Sequence, residues 1–123
     1  MAAVIRIALP FPPSVNRLWK TKKTGGMYRS PEYTSWRTHA LWSIKAQVQG
    51  QKIKGKYTLL IEAVRPDKRR RDIGNLEKAI SDILQAAELI EDDCLCEDLH
   101  LRWVLDGPEC LVIIDTYKIV ENN

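Results

Sequence analysis

The sequence has only three cysteines, Cys94, Cys96 and Cys110, and an odd count argues against a disulfide framework. With His100 they give a C-x-C-x3-H spacing that matches no common zinc finger, so a structural zinc set is not expected either. No apolar run approaches the roughly 20 residues of a membrane span, and residues 1–9 are too short and, at Arg6, too charged for a secretory signal. The expectation is a cytoplasmic chain with no membrane partner. Internal repeats and low-complexity segments are absent as well. A length of 123 residues leaves room for one domain spanning residues 1–123 and none for a second.

What is present is ordinary globular composition, 45% hydrophobic and 28% charged. A net charge of +3 says little about partners, but the charges are segregated. Lysines and arginines gather at residues 17–23, at Arg29 and at residues 65–71, whereas acids gather at residues 88–98. That separation is expected of a basic surface beside an acidic pocket.

Residues 3–9 (AVIRIAL) read as a first strand ended by Pro10, with Pro12 and Pro13 stiffening the exit. Residues 14–29 carry Asn16, Arg17, Lys20, Lys22, Lys23 and Arg29 around Trp19, with Gly25 and Gly26 at a tip. This suits a basic loop or short hairpin, either merely solvated or holding phosphates. Ser30 and Pro31 form a helix start, and Tyr33, Trp36, Ala40, Ile44 and Val48 recur near a 3.6-residue spacing, which favours a core face over a base-stacking platform. Residues 56–64 have strand composition and deliver the chain to Arg65-Pro66-Asp67; Glu62 within them faces either solvent or the site. From Ile73, the positions Leu76, Ile80, Ile83, Leu84 and Ala87 make a second apolar helical face. Residues 99–105 and 111–120 read as two further strands around Asp106-Gly107-Pro108. The order βαβαββ predicts an α+β fold with a mixed sheet packed by two helices.

The informative stretch is residues 69–78, RRRDIGNLEK. Lys68, Arg69, Arg70 and Arg71 could hold a phosphate backbone, and their mutual repulsion is costly without a polyanion. Asp72 follows at once. Asn75, Lys78 and Asp82 then lie within about 60° of one another on the second helix, away from its apolar face. Phosphodiester hydrolysis requires an activated water, stabilisation of the charge that develops at phosphorus and assistance to the leaving oxygen, all of which carboxylate-held Mg²⁺ can supply. The acids available are Asp72 and, about 30 Å further along a continuous helical path, Asp92 and Asp93. Each of the three is equally suited to capping a helix or turn, and spacing does not choose between the roles. Lys78 likewise suits either a surface pair with Asp82 or a contact to the scissile phosphate.

Taken together, LPFPPSVNRLWK (residues 9–20), RPDKRRRDIGNLEKAISDIL (residues 65–84) and IEDD (residues 90–93) resemble the RusA family of Holliday junction resolvases, small enzymes common in bacteria and their prophages. The first resembles the family's LPxPPSxNxxW/Y opening, the second its basic D-x-D-N-x-x-K pattern, and the third falls where the family has a distal acid. The resemblance implies a homodimer that makes paired, symmetric, Mg²⁺-dependent nicks in a four-way DNA junction during recombination and repair, with Mn²⁺ able to substitute. It implies Asp72 and Asp93 as metal-binding catalytic acids, Lys78 as the catalytic lysine, Asn75 as the motif asparagine, and Asp92 as a further metal-side acid. One departure stands out: Gly74 occupies the position of the motif's second acid. The rival readings are a junction-binding protein that has lost cleavage through Gly74, and a metal nuclease acting on other branched DNA.

Overall fold

The structure is a computed structural model and describes residues 4–14 and 18–118. Its elements are β1 (Val4–Leu9), β2 (Trp19–Thr21), β3 (Met27–Arg29), α1 (Pro31–Val48), β4 (Tyr57–Val64), α2 (Leu76–Ala86), β5 (Cys96–Val104) and β6 (Cys110–Thr116). Removing the small β2–β3 ribbon leaves the expected βαβαββ order. The main sheet runs β1-β6-β4-β5 and is mixed: β4 pairs parallel with β5, and antiparallel with β6, which pairs antiparallel with β1. The fold is α+β.

Alternation along the strands decides which face is covered. Ile5, Ile7 and Leu9, Tyr57, Leu59, Ile61 and Ala63, and Cys110, Val112 and Ile114 all point to one side and are buried. Against them lie Tyr33, Trp36, Ala40, Ile44 and Val48 of α1 and Leu76, Ala79, Ile80, Ile83 and Leu84 of α2. Each fully buried aliphatic side chain of this kind contributes roughly 1.5–3 kcal/mol. The anticipated core face of α1 is therefore the observed one, and Tyr33 and Trp36 on it are core residues rather than a base-stacking platform.

Local chemistry sets the boundaries of α1. The Ser30 hydroxyl accepts from the Tyr33 N–H at 3.1 Å, and Pro31 follows in the first turn, where its missing N–H costs nothing. The helix ends at Gln49, whose left-handed φ of 52° breaks the repeat before Gly50. Two contacts then fix α1 to the start of the chain. Gln47 bonds both the N–H and the carbonyl of Ala8 at 2.8 and 2.9 Å, satisfying part of the edge strand β1. Trp36 Nε1 donates to the Pro10 carbonyl at 2.9 Å.

Three boundaries differ from the sequence reading. The second helix does not begin at Ile73; a 3-10 turn over Ile73–Asn75 precedes α2, with Asp72 as its cap. Strand β5 begins at Cys96 rather than at residue 99, because parallel pairing with β4 starts at Tyr57 and Cys96. As an exposed edge strand it shows no clean alternation to announce this. Strand β6 spans Cys110–Thr116, and its pairing with β4 ends at Tyr57 and Thr116. Glu62 is also resolved: it sits on the helix-free face of the sheet and bonds Arg102 Nε at 2.9 Å, so it is not an acid of the site.

Candidate active site

The loop from β4 to α2 carries the basic run, and one acid organises it. Asp67 accepts from the Arg69 N–H at 3.0 Å and from Arg71 Nη2 at 2.9 Å, so two of the repelling cations are gathered on one carboxylate. The Arg71 hydrogen bond, followed by that of the Arg69 backbone, holds the Asp67 carboxyl below its ordinary range. Aromatic rings extend the arrangement into a four-layer stack. Arg65 lies 4.5 Å from the Trp103 ring centre, Trp103 stacks on Phe11 at 6.2 Å, and Arg71 lies 5.3 Å from the Phe11 ring. Arg71 is therefore held in place, while Lys68, Arg69 and Arg70 are exposed to meet an anion.

Beside this stack opens a cleft of about 680 Å³ lined by Arg69, Arg70, Arg71, Asp72 and Asn75 together with Phe11, Pro12 and Pro13. Asp72 Oδ1 accepts from the Gly74 N–H at 3.0 Å, the capping duty that sequence alone allowed. Its other oxygen makes no hydrogen bond among the described residues, which leaves the carboxylate able to serve a second role. Gly74 has no positive φ, and a Cβ there would lie 3.4 Å from Asp72 Oδ1. Glycine is thus not demanded by the backbone at this position.

The opposite end of α2 is acidic. After the helix, Asp92 Oδ1 accepts from the Cys94 N–H at 2.9 Å and caps a 3-10 turn over Asp93–Leu95, and the Asp93 N–H donates to Gln85 Oε1 at 3.1 Å. Those bonds dock the Asp92–Asp93 pair on the last turns of α2. The pair is electrostatically strained. Asp93 is raised above its ordinary value, first by its side-chain hydrogen bond with Asp92, then by desolvation and the charges of Asp92, Asp82 and Glu77. Asp92 is lowered, chiefly by the Cys94 N–H. Glu77 accepts from the Ser81 hydroxyl at 2.7 Å and Asp82 from the Tyr33 hydroxyl at 3.5 Å. Among the described residues, none of these four acids forms an ion pair. Beneath them the buried Tyr57 hydroxyl has no hydrogen-bond partner among the described residues, and burial, followed by the charge of Cys96 and the acids, holds it protonated far above its ordinary range.

A second cleft of about 530 Å³ lies here, lined by Asp82, Gln85 and Asp93 on one side and Trp19, Arg29, Tyr33 and Arg37 on the other. Lys20 lies on β2, Arg29 on β3, and Lys22 and Lys23 in the turn between them, where the Lys22 N–H donates to the Gly26 carbonyl at 2.9 Å. Asn16 and Arg17 lie outside the described residues. Lys78 is exposed on α2 between its two ends and forms no pair with Asp82 among the described residues.

The arrangement gathers Asp72 with Asn75 and the arginines at the start of α2, while Asp92 and Asp93 follow its end; Asp82 and, from the first turn of the helix, Glu77 lie within electrostatic reach of Asp93. No group of three metal-ligating side chains stands ready to hold an ion among the described residues. The donors are nevertheless of the right kind for a hard divalent cation, being carboxylates that form no ion pair among the described residues. Sequence reasoning missed Asp67, the Phe11–Trp103 stack and Arg37. Phe11 lay within the proline-rich opening, but nothing in the order of residues linked it to Trp103, 92 positions away.

Comparison with known proteins decides the family. The model of the family described as Endodeoxyribonuclease RusA matches residues 10–115. The chain belongs to the RusA family. Among curated relatives, the crossover junction endodeoxyribonuclease RusA of Aquifex aeolicus (strain VF5) is 31% identical over 106 residues, covering 85% of this chain and 82% of that protein. The proteins of that name from Enterobacteria phage 82 and Escherichia coli (strain K12) are each 35% identical over 95 residues, covering 77% of this chain and 78% of theirs. The matched region contains both clefts and all of α2. No helix among the described residues is long and apolar enough to cross a membrane.

Proposed function

We propose that this RusA-family chain is a structure-specific endodeoxyribonuclease that resolves four-way DNA junctions by paired symmetric nicks, in DNA recombination and repair. It acts as a homodimer of one-domain chains in the cytoplasm of a bacterium or phage-infected cell. The observation that carries the reading is that each of two clefts beside α2 sets arginines against a carboxylate that forms no ion pair among the described residues. Such a surface attracts a phosphate backbone and sets acids beside it. The curated relatives named crossover junction endodeoxyribonuclease support the substrate. A two-fold dimer also suits a junction of the same pseudo-symmetry.

In this reading Asp72 at the start of α2 and Asp92 and Asp93 of the turn bonded back to Gln85 would hold Mg²⁺, which would supply an activated water and offset charge on the transferring phosphoryl group. Arg69 and Arg70, with Lys68, Lys20, Lys22, Lys23, Asn16, Arg17 and Arg29, hold the strands in register. Lys78, projecting from α2 between the acids, faces the scissile phosphate or leaving oxygen, and Asn75 lines the approach. The test compares cleavage of four-way junction, flap and linear duplex in Mg²⁺ by the native protein and by Asp72→Asn and Asp93→Asn. Junction cleavage by the native protein alone is expected. Preferential flap cleavage would redirect the substrate, and equal loss of binding and cutting in both variants would mean that the acids are structural.

The Gly74 N–H bond to Asp72 favours one second reading. Without a carboxylate at position 74, the chain is a junction-binding protein of the same fold with weak or lost cleavage. Native protein that binds junctions and leaves them uncut in Mg²⁺ or Mn²⁺ would establish it.

A further inference from the structure

The cleft at the acidic end has one wall that phosphate binding does not explain. Strands β2 and β3 form a ribbon separate from the main sheet, with every residue exposed. Its root is nonetheless rigidly held: Leu18 is buried, and its carbonyl accepts from the N–H of Ser30, the residue that caps α1, at 2.9 Å. Trp19 follows Leu18 directly and is 39% exposed. Its ring makes a T-shaped contact with Tyr33 at 6.0 Å and a 67° interplanar angle, and its cross-strand partner Arg29 lies over the ring, 6.0 Å from its centre. Arg37, one turn beyond Tyr33 on α1, lies 5.6 Å from the Tyr33 ring. Trp19, Arg29 and Arg37 thus form one wall of a space whose other wall is Asp82 and Asp93.

An indole next to two guanidinium groups is unusual for a surface that only tracks a backbone, since phosphates gain nothing from a π face. A nucleobase gains about 1–3 kcal/mol from such stacking, but only when it is out of its own stack. Within linear duplex every base face is occupied. At a branch point, flap or bulge, some are free. The cleft volume of about 530 Å³ lies within the roughly 300–1,000 Å³ range of sites that enclose a small ligand.

We infer that Trp19 is a base-stacking residue that receives one unstacked nucleotide beside Asp82 and Asp93, with Arg29 and Arg37 holding its flanking phosphates. Resting on the nuclease reading above, this makes Trp19 a specificity-determining residue. It recognises branched DNA by the availability of a base face rather than by sequence.

The experiment places 2-aminopurine at the crossover of a four-way junction and titrates it, without divalent metal, with native protein and with Trp19→Phe, Trp19→Thr and Trp19→Ala. Linear duplex binding serves as the control for folding and for backbone contacts. Native protein and Trp19→Phe change the 2-aminopurine emission. Trp19→Ala loses that change and about 5- to 100-fold of junction affinity, with duplex affinity within about threefold. Trp19→Thr, a residue suited to an exposed ribbon, reproduces the loss if alanine loosens the hairpin. Unchanged emission and an unchanged junction-to-duplex ratio in the alanine and threonine variants would overturn the stacking role while leaving the nuclease reading intact. Native protein that binds no branched DNA would overturn both.

Discussion

The Arg71 guanidinium lies 5.3 Å from the ring centre of Phe11, joining the proline-rich opening of the chain to the basic run 60 residues later. With Trp103 and Arg65 completing the stack, the geometry of the arginine loop depends on an aromatic pair as well as on charge. Phe11→Ala removes the middle of that stack. It is expected to destabilise the fold by about 1–3 kcal/mol, read by denaturant titration, and to weaken junction binding several-fold through misplacement of Arg69 to Arg71. Phe11→Tyr keeps the ring and should retain both. If Phe11→Ala lost stability with junction affinity unchanged, the stack would serve the fold alone.

Asp67 gives the same loop a pH dependence. Its carboxyl titrates below the ordinary value of 3.8 because the folded state favours its charged form, through Arg71 first and the Arg69 N–H second. A depressed carboxylate contributes stability that is fully present above its unfolded pKa and is lost as pH falls through the lower folded value. Hydrogen-exchange protection of the Arg69 amide should therefore persist at neutral pH and fall only in strong acid. Asp67→Ala, which removes the accepting oxygen, should remove that protection at every pH, and protection unchanged by the substitution would sink the assignment.

The fold was legible because its signals are local. The Ser30-Pro31 start, the 3.6-residue spacing of Tyr33, Trp36, Ala40, Ile44 and Val48, and the apolar face of α2 all follow from short-range rules. Strand β5 was misplaced by three residues at its start because an exposed edge strand lacks a two-residue period. The site was only half legible. Asp72, Asn75 and the arginines are contiguous in sequence and share a cleft, whereas the neighbours of Asp93 come from α2, α1 and the β2–β3 ribbon. No sequence spacing encodes a contact such as that of Tyr33 with Asp82.

Asp93 is expected to show a trade of stability for activity. The side-chain hydrogen bond with Asp92 and the nearby charges of Asp82 and Glu77 hold its pKa up, so its ionised form is disfavoured in the folded metal-free protein. Asp93→Asn relieves that repulsion. Its melting temperature in chelator should exceed that of the native protein at neutral pH, with cleavage abolished and junction affinity within a few-fold. A lower melting temperature would show that the Asp93 side chain is needed structurally, as a partner of Asp92.

The exposed lysines of the β2–β3 ribbon are expected to act on backbone phosphates and not on bases. Replacing Lys20, Lys22 and Lys23 by alanine should weaken binding to junctions of every sequence alike. For every phosphate left without its lysine, the slope of log affinity against log salt should flatten by about 0.9. Weakening confined to one sequence would point to base readout instead.

Gly74 offers the most direct test of whether the acids are short by one. Its backbone is accessible to any L-residue, and a Cβ would sit in ordinary contact with Asp72 Oδ1 at 3.4 Å, so Gly74→Asp should fold and set a second carboxylate against the first. Two adjacent carboxylates repel in the absence of a cation and bind a divalent ion more tightly in its presence. The variant should melt slightly below the native protein in chelator and recover in Mg²⁺, and its junction cleavage should rise about tenfold or more. Gly74→Asn adds the same bulk without charge and should give neither effect. Equal rates for the native, aspartate and asparagine forms would mean that the native centre is already complete without a carboxylate at position 74. Glu77 and Asp82, whose charges also reach Asp93, would then be the acids to replace in turn.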